Sequence, residues 1–218
     1  MAKNLHWIKK IDPNLVIAVG VLISSFAALF VYVRQARIMS EQSNILLEQT
    51  SILLEQTKAS TWPHLSIEGW QGNNQDGRVM IFKIVVTNKG TGPAILEKTR
   101  ISFDDVYVES WNDFYKVVGV PDSIKVFHSN QNIHNRVLAS DERLELIDWS
   151  IVGDDPEASL LTEFIYSKSD RIKVEICYKS IHGDTWSVSR LGFKSDLEAN
   201  DRVDLEDCSN FEGKIFLQ

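Results

Sequence analysis

The alternation of hydrophobic and polar residues changes character twice along the chain. From Leu15 to Val33 (LVIAVGVLISSFAALFVYV) there is no charge at all, from Ile38 to Lys58 a seven-residue pattern repeats, and from Thr61 onward short alternating runs are divided by turn residues. Each pattern predicts a different element. The uncharged run, with Pro13 and Asn14 leading into it, is about 20 residues long and at about 1.5 Å each is able to cross the roughly 30 Å hydrocarbon core of a bilayer. Only Ser24 and Ser25 interrupt it, and both can return their hydroxyls to the preceding turn.

Two other readings of this run give way to an uncleaved anchor. A buried core helix would be shorter and would carry a polar stripe. A secretory signal would share the leading Lys3, Lys9 and Lys10 and the small Ala27 and Ala28. Its apolar core would, however, be shorter and would end in a polar cleavage region, whereas here Leu29 to Val33 runs straight into Arg34. Trp7 and Tyr32 stand where amphipathic rings settle at the headgroup level. Lys3, Lys9 and Lys10 against Asp12 on one side, and Arg34 and Arg37 against Glu41 on the other, lean toward a cytoplasmic N-terminus and a C-terminal part outside, in a cell (inner) membrane. On that side Cys177 and Cys208 are able to pair; under the reverse topology they stay reduced.

The heptads IMSEQSN, ILLEQTS and ILLEQTK begin at Ile38, Ile45 and Ile52. A strict seven-residue repeat keeps one stripe in register on a slightly underwound helix, the signature of a left-handed coiled coil. No Pro or Gly intervenes before Pro63, so the membrane helix is expected to continue as a stalk about 35 Å long. Its seam alternates Ile38, Ile45 and Ile52 with Gln42, Gln49 and Gln56, and polar layers fix register and copy number at a cost in stability. Chains anchored in one orientation meet in parallel, so the expected partners are the lipid bilayer and further copies of the chain. The competing reading is a single amphipathic helix lying on the β-domain or on lipid, against which Glu41, Glu48 and Glu55 would be repelled by anionic headgroups.

Beyond Thr61, the runs Leu65 to Gly69, Val79 to Thr87, Ile95 to Phe103, Arg143 to Ile151, Ile172 to Ser180 and Thr185 to Phe193 carry β-branched and aromatic residues with a period of two. They predict a mainly β fold, one antiparallel sandwich. The stretches 110–119 and 156–167 have helical spacing and are expected as small insertions, and Val120 to Asn135 is the longest irregular loop. The expected division is a flank over 1–13, the membrane helix over 14–34, the stalk over 35–60, the β-domain over 61–195 and an acidic tail over 196–218.

The turn Asn88 to Ala94 (NKGTGPA) after the strand Ile84 to Thr87, followed by Val137 to Trp149 (VLASDERLELIDW), resembles bacterial and archaeal immunoglobulin-like adhesion modules. The layout of span, Gln-rich helix and β-domain also resembles uncharacterised bacterial membrane-anchored proteins. The resemblance implies an immunoglobulin-like sandwich and a binding role, and it brings no catalytic residues. Ser140, Asp141 and Glu142 depart from the pattern by lacking the Gly of its second turn.

Composition and chemistry narrow the function without naming a reaction. The net charge is −7 and the bases are interleaved with acids, which disfavours nucleic acid; Lys98, Arg100 and the last two strands would form a local cationic face only if they were neighbours. No phosphate-binding Gly loop, zinc-protease helix, nucleophile elbow or paired Cys-x-x-Cys is present, so an enzyme is not expected and no cofactor is. His128 and His134 with Asp122, and the pairs Asp104 with Asp105 and Asp154 with Asp155, lack metal-motif spacing and read better as solvated loop residues. Trp111, Phe114 and Tyr115 recur at helical spacing and are the candidate partner surface, with the plugging of one end of the sandwich as the competing role. The expectation is a membrane-anchored, oligomerising binding or sensing module for a protein or small ligand. The alternative is an oligomeric effector whose span, with Gly20, Ser24, Ser25, Ala27 and Ala28, alters permeability.

Overall fold

The structure, a computed structural model, describes residues 12–151, 156–194, 200–209, 211 and 214–217. Lys3, Trp7, Lys9, Lys10, Asp154 and Asp155 lie outside the described residues. Contacts divide the chain into two units, one ending at Gln56 and the other running from Thr57 to Gln218.

The first unit is nearly all of helix α1, Pro13–Ser60, 48 residues without a break. Pro13 occupies the first helical position, where its missing N–H is no loss, and Asp12 caps the end by accepting the backbone N–H of Asn14 at 3.0 Å. Ser24 and Ser25 donate to the carbonyls of Gly20 and Val21, each at 2.9 Å. None of the residues of α1 is buried, and α1 is, among the described residues, the one helix long and apolar enough to cross a membrane.

The second unit is built on two antiparallel sheets. Strands β1 (Leu65–Asn73), β2 (Val79–Asn88) and β6 (Arg143–Asp148) form the first, in the order β1-β2-β6. The second runs β4 (Val106–Val108), β3 (Ala94–Phe103), β7 (Ile172–Lys179), β8 (Thr185–Leu191), β9 (Asp201–Leu205), with β5 (Val137–Leu138) paired to the start of β3. Helix α2 (Trp111–Val118) packs near β3 and β4, and α3 (Pro156–Ser167) packs on β2. Residues of both sheets and both helices, from Ile67, Phe82 and Ile84 to Ile101, Phe114, Ile165 and Ile176, share one core. Burial of such side chains stabilises by about 1.5–3 kcal/mol each, so one common core joins the sheets.

Asn88 holds the crossing from the first sheet to the second. Its fully buried amide donates to the carbonyls of Gly92, Leu138 and Ala139 at 2.8–3.1 Å, while its oxygen accepts the N–H groups of His64 and Gly90. Those partners belong to the start of β1, the β2–β3 loop and the end of β5. Gly90 and Gly92 are required by close approach: an added Cβ would stand 2.3 Å from the carbonyl oxygen of Trp62 and 1.8 Å from that of Thr61. The loop therefore wraps the chain where it leaves α1.

Two expectations are corrected here. Residues beyond 195 are not a separate tail: β9 pairs with β8 over Asp201 to Leu205, Cys208 bonds to Cys177, and Phe216 is buried in the common core with its N–H on Thr99. Their acidic composition hides a strand in which Asp201 and Asp204 are exposed while Arg202 lies against Trp62 and Trp186. The second concerns Trp111, Phe114 and Tyr115, which are 4%, 0% and 5% exposed and so form no surface. Ser110 caps α2 so that its apolar stripe turns inward onto Phe103, Trp149 and Phe216. Burying these large rings is worth more than any exposed contact they would make.

The Asn88 hub makes a quantitative expectation. Asn88→Ala orphans three carbonyls and two N–H groups and should cost more than about 3 kcal/mol in urea unfolding of the purified protein. Asn88→Asp keeps the two acceptor contacts and turns the donors against three carbonyls, so it should destabilise by a similar amount. A mild loss in both would show that water replaces the amide.

Candidate functional site

Three places in the molecule combine exposure or a hollow with chemistry. The first is α1 itself. Ile38, Ile45 and Ile52, expected in the oligomer seam, are about half exposed, and Gln49 and Gln56 are exposed between them. The heptad reading missed that Leu46, Leu47, Leu53 and Leu54 are at least as open to solvent. The signal was in the sequence, since each ILL triplet puts apolar side chains on three stripes.

The second lies where α2 meets the long loop. Tyr115 links Trp149 to His128: the indole Nε1–H of Trp149 donates to the Tyr115 hydroxyl at 2.9 Å, and that hydroxyl stands 3.0 Å from His128 Nδ1. An indole donates only, so the phenol accepts from it and has its own proton for Nδ1, leaving the neutral imidazole with its proton on Nε2. Burial lowers the His128 pKa below the ordinary value near 6.5, in keeping with this neutral form. Burial likewise pushes the Tyr115 phenol up, with the Trp149 N–H opposing it. Two shallow hollows flank the chain, one of about 440 Å³ against Asn112, Tyr115 and Ile124 and one of about 270 Å³ against Trp111, His128 and Asn130.

The third is a crevice of about 750 Å³ beside β1, with Glu68, Trp70, Lys89, Arg190, Phe193 and Lys194 among its walls. Strand β1 is the edge of its sheet, and side chains close that edge at Ile67. Asn200 Oδ1 accepts its N–H and Arg190 Nη1 donates to its carbonyl, both at 2.9 Å. Gly69 is small enough there to let Phe193 lie against the strand, 3.0 Å from where a Cβ would stand. Lys89 pairs with Glu68 across the opening. Burial works to raise the Glu68 carboxyl, yet hydrogen bonds from Lys89, Ser66 and Trp70 together hold it below its usual range. The crevice thus has polar walls whose cations are engaged, Lys89 by Glu68, Lys194 by Asp170 and Arg190 by the Ile67 carbonyl, together with two rings, a mixed lining for a small ligand.

Other sequence candidates are assigned to structural tasks. Asp104 and Asp105 form the tight β3–β4 turn with φ of 48° and 62°, and Asp104 pairs with Arg171. The Lys98 ammonium donates to the Cys208 carbonyl at 2.6 Å, and Arg100 Nη2 meets Glu175 at 3.1 Å, so both heads of the expected cationic face are engaged within the domain. His134 is exposed, its N–H held by Asn132, and His182 meets Thr61 Oγ1 at 3.0 Å. Among the described residues no group of three or more His, Cys, Asp or Glu is placed to hold a metal ion.

The histidine chemistry sets a pH dependence. His128 by burial, and His64 by burial and then by Arg202 and Lys89, both have folded pKa values lowered from 6.5. Below that value the unfolded chain binds more protons than the folded one, so stability rises with pH in this window and falls on acidification. We expect the melting temperature to drop between pH 7 and pH 5 and His128→Asn to reduce the drop; a flat profile over that range would contradict the half-buried neutral imidazole.

No curated protein matches this sequence. The profile of the family described as "Domain of unknown function (DUF8453)" matches residues 14–197, which takes in all of α1 past its first residue and the β-domain through β8. The chain belongs to the DUF8453 family.

Proposed function

We propose that this protein is a single-pass, membrane-anchored binding or sensing module, non-enzymatic, that self-associates through α1 and presents an immunoglobulin-like β-sandwich outside the cytoplasm. The observation that carries the reading is α1: 48 residues with none buried, apolar and uncharged from Leu15 to Val33, joined in sequence to a domain that has its own core. An exposed run of that length and character is stable only in a solvent as apolar as itself. The two antiparallel sheets with one common core support the sandwich.

The Cys177–Cys208 disulfide supports the external side. It ties β7 to the residues after β9, with Phe211 and Leu205 packed over it, and closing the 31-residue separation restrains the unfolded chain by about 3–4 kcal/mol. Disulfides of this structural kind persist in oxidising compartments, which agrees with the lysine-led cytoplasmic N-terminus. The size of the crevice beside β1 and its mixed polar and aromatic lining support a ligand-binding role there. The effector alternative draws less support, because the Ser24 and Ser25 hydroxyl protons are used inside the helix.

A reporter active only after export, fused behind Gln218, should give signal, and one active only in the cytoplasm should not. In parallel, Cys177 and Cys208 of protein taken directly from cells should resist maleimide until a reductant is added. Cytoplasmic reporter activity together with free thiols would reverse the orientation and move the reading to an intracellular sensor.

A further inference from the structure

The apolar residues of the heptads cover more of α1 than one partner helix can reach. At 3.6 residues per turn, Ile38, Ile45 and Ile52 form one stripe, Met39, Leu46 and Leu53 a second about 100° away, and Leu47 and Leu54 a third about 200° from the first. All eight are 48–69% exposed. Gln42, Gln49 and Gln56 run between the first and second stripes and Ser43 and Thr50 between the second and third, while Glu41, Glu48 and Glu55, with Asn44 and Ser51, lie opposite the middle of this arc. A seam between two helices is the narrower stripe of a and d positions, whereas an arc this wide belongs to a helix with neighbours on two flanks.

Area gives the same answer. At roughly 100 Å² per side chain, the three isoleucines alone offer about 300 Å². All eight offer about 800 Å², so neighbours on both flanks cover more than twice the apolar area that the isoleucine stripe alone gives to one. Lipid is a poor cover for this face, because a helix lying in the interface carries Lys or Arg on its polar side, and between Arg37 and Lys58 there is neither, only glutamates. A second copy fits: chains anchored in one direction align identical heptads layer against layer, and the glutamate stripe, set away from the arc, is not brought face to face.

We infer that residues 38–54 of α1 assemble as a parallel bundle of at least three copies, with each helix giving its isoleucine flank to one neighbour and its Leu47 and Leu54 flank to the next. This rests on the self-association proposed above and adds the copy number and the second flank. The test is native mass spectrometry of the full chain released from lipid nanodiscs, with chemical crosslinking in the membrane before solubilisation. Species of three or more chains support the inference. Dimers alone would overturn it while leaving self-association in place, and monomers alone would overturn both. The variant Leu47→Gln with Leu54→Gln should lose every species above the dimer with unchanged helix content by circular dichroism; full retention of the higher species would overturn the second flank.

Discussion

The amide of Asn88 is the one group on which both sheets depend. It stands at the end of β2, where the chain leaves one sheet for the other, and a chain crossing between sheets gives up ladder hydrogen bonds on both sides. Asn88 supplies five contacts at that point, to His64, Gly90, Gly92, Leu138 and Ala139, so the starts of β1 and β3 and the end of β5 are referred to a single buried side chain. Two more bonds complete the arrangement, from Asp141 N–H to the Asn88 carbonyl and from Ser140 Oγ to the Gly90 carbonyl. Asp141 takes φ of 60° where a Gly would be unstrained, and Asp tolerates that conformation better than most residues. The absence of Gly from the second turn is therefore accommodated without loss of the turn.

Around this crossing the domain is closed by residues distant in sequence. Phe216 fills the space over Trp111, with ring centroids 4.8 Å apart, and Trp149 stacks on Phe82 at 5.3 Å. Arg202 of β9 lies between Trp62 and Trp186, 4.2 and 4.7 Å from the ring centroids. The last strand thus covers the rings nearest the end of α1, and the disulfide keeps the segment after it on the second sheet. Removing the residues beyond 195 would open the core, because Phe216 is 1% exposed and belongs to it.

What could be read from the sequence follows the range of the interactions. The long helix was legible because its causes are local: an uncharged run, a seven-residue period and the lack of Gly or Pro between Ile38 and Pro63. The longer strands were legible from their period of two, with β6 ending at Asp148 and not at Ile151. Strands β4, β5 and β9 were not, being two to five residues long and fixed by their partners. The helical spacing of Trp111, Phe114 and Tyr115 gave α2 correctly, but which way its apolar face turned depended on Phe216, about a hundred residues away. The crevice had no local signal, since Glu68, Lys89 and Arg190 meet only through the fold. The turn NKGTGP was readable as a turn, whereas the role of its first residue as a hub needed the carbonyls of Leu138 and Ala139.

The two units place different demands on their surroundings. The Thr57–Gln218 unit buries its own large side chains and satisfies its crossings internally, so its fold accounts for its sequence. No such account holds for α1. Helix propensity would be met by Ala, Glu and Lys on every face, yet this helix exposes apolar residues along its whole length. From Leu15 to Val33 only Ser24 and Ser25 interrupt them and no charge does, which suits lipid on all sides. From Ile38 to Leu54 they stand on three stripes with Gln, Ser and Thr between them and glutamates opposite. That change of pattern falls within a single unbroken helix, so side-chain chemistry and not a break in the backbone separates the two stretches.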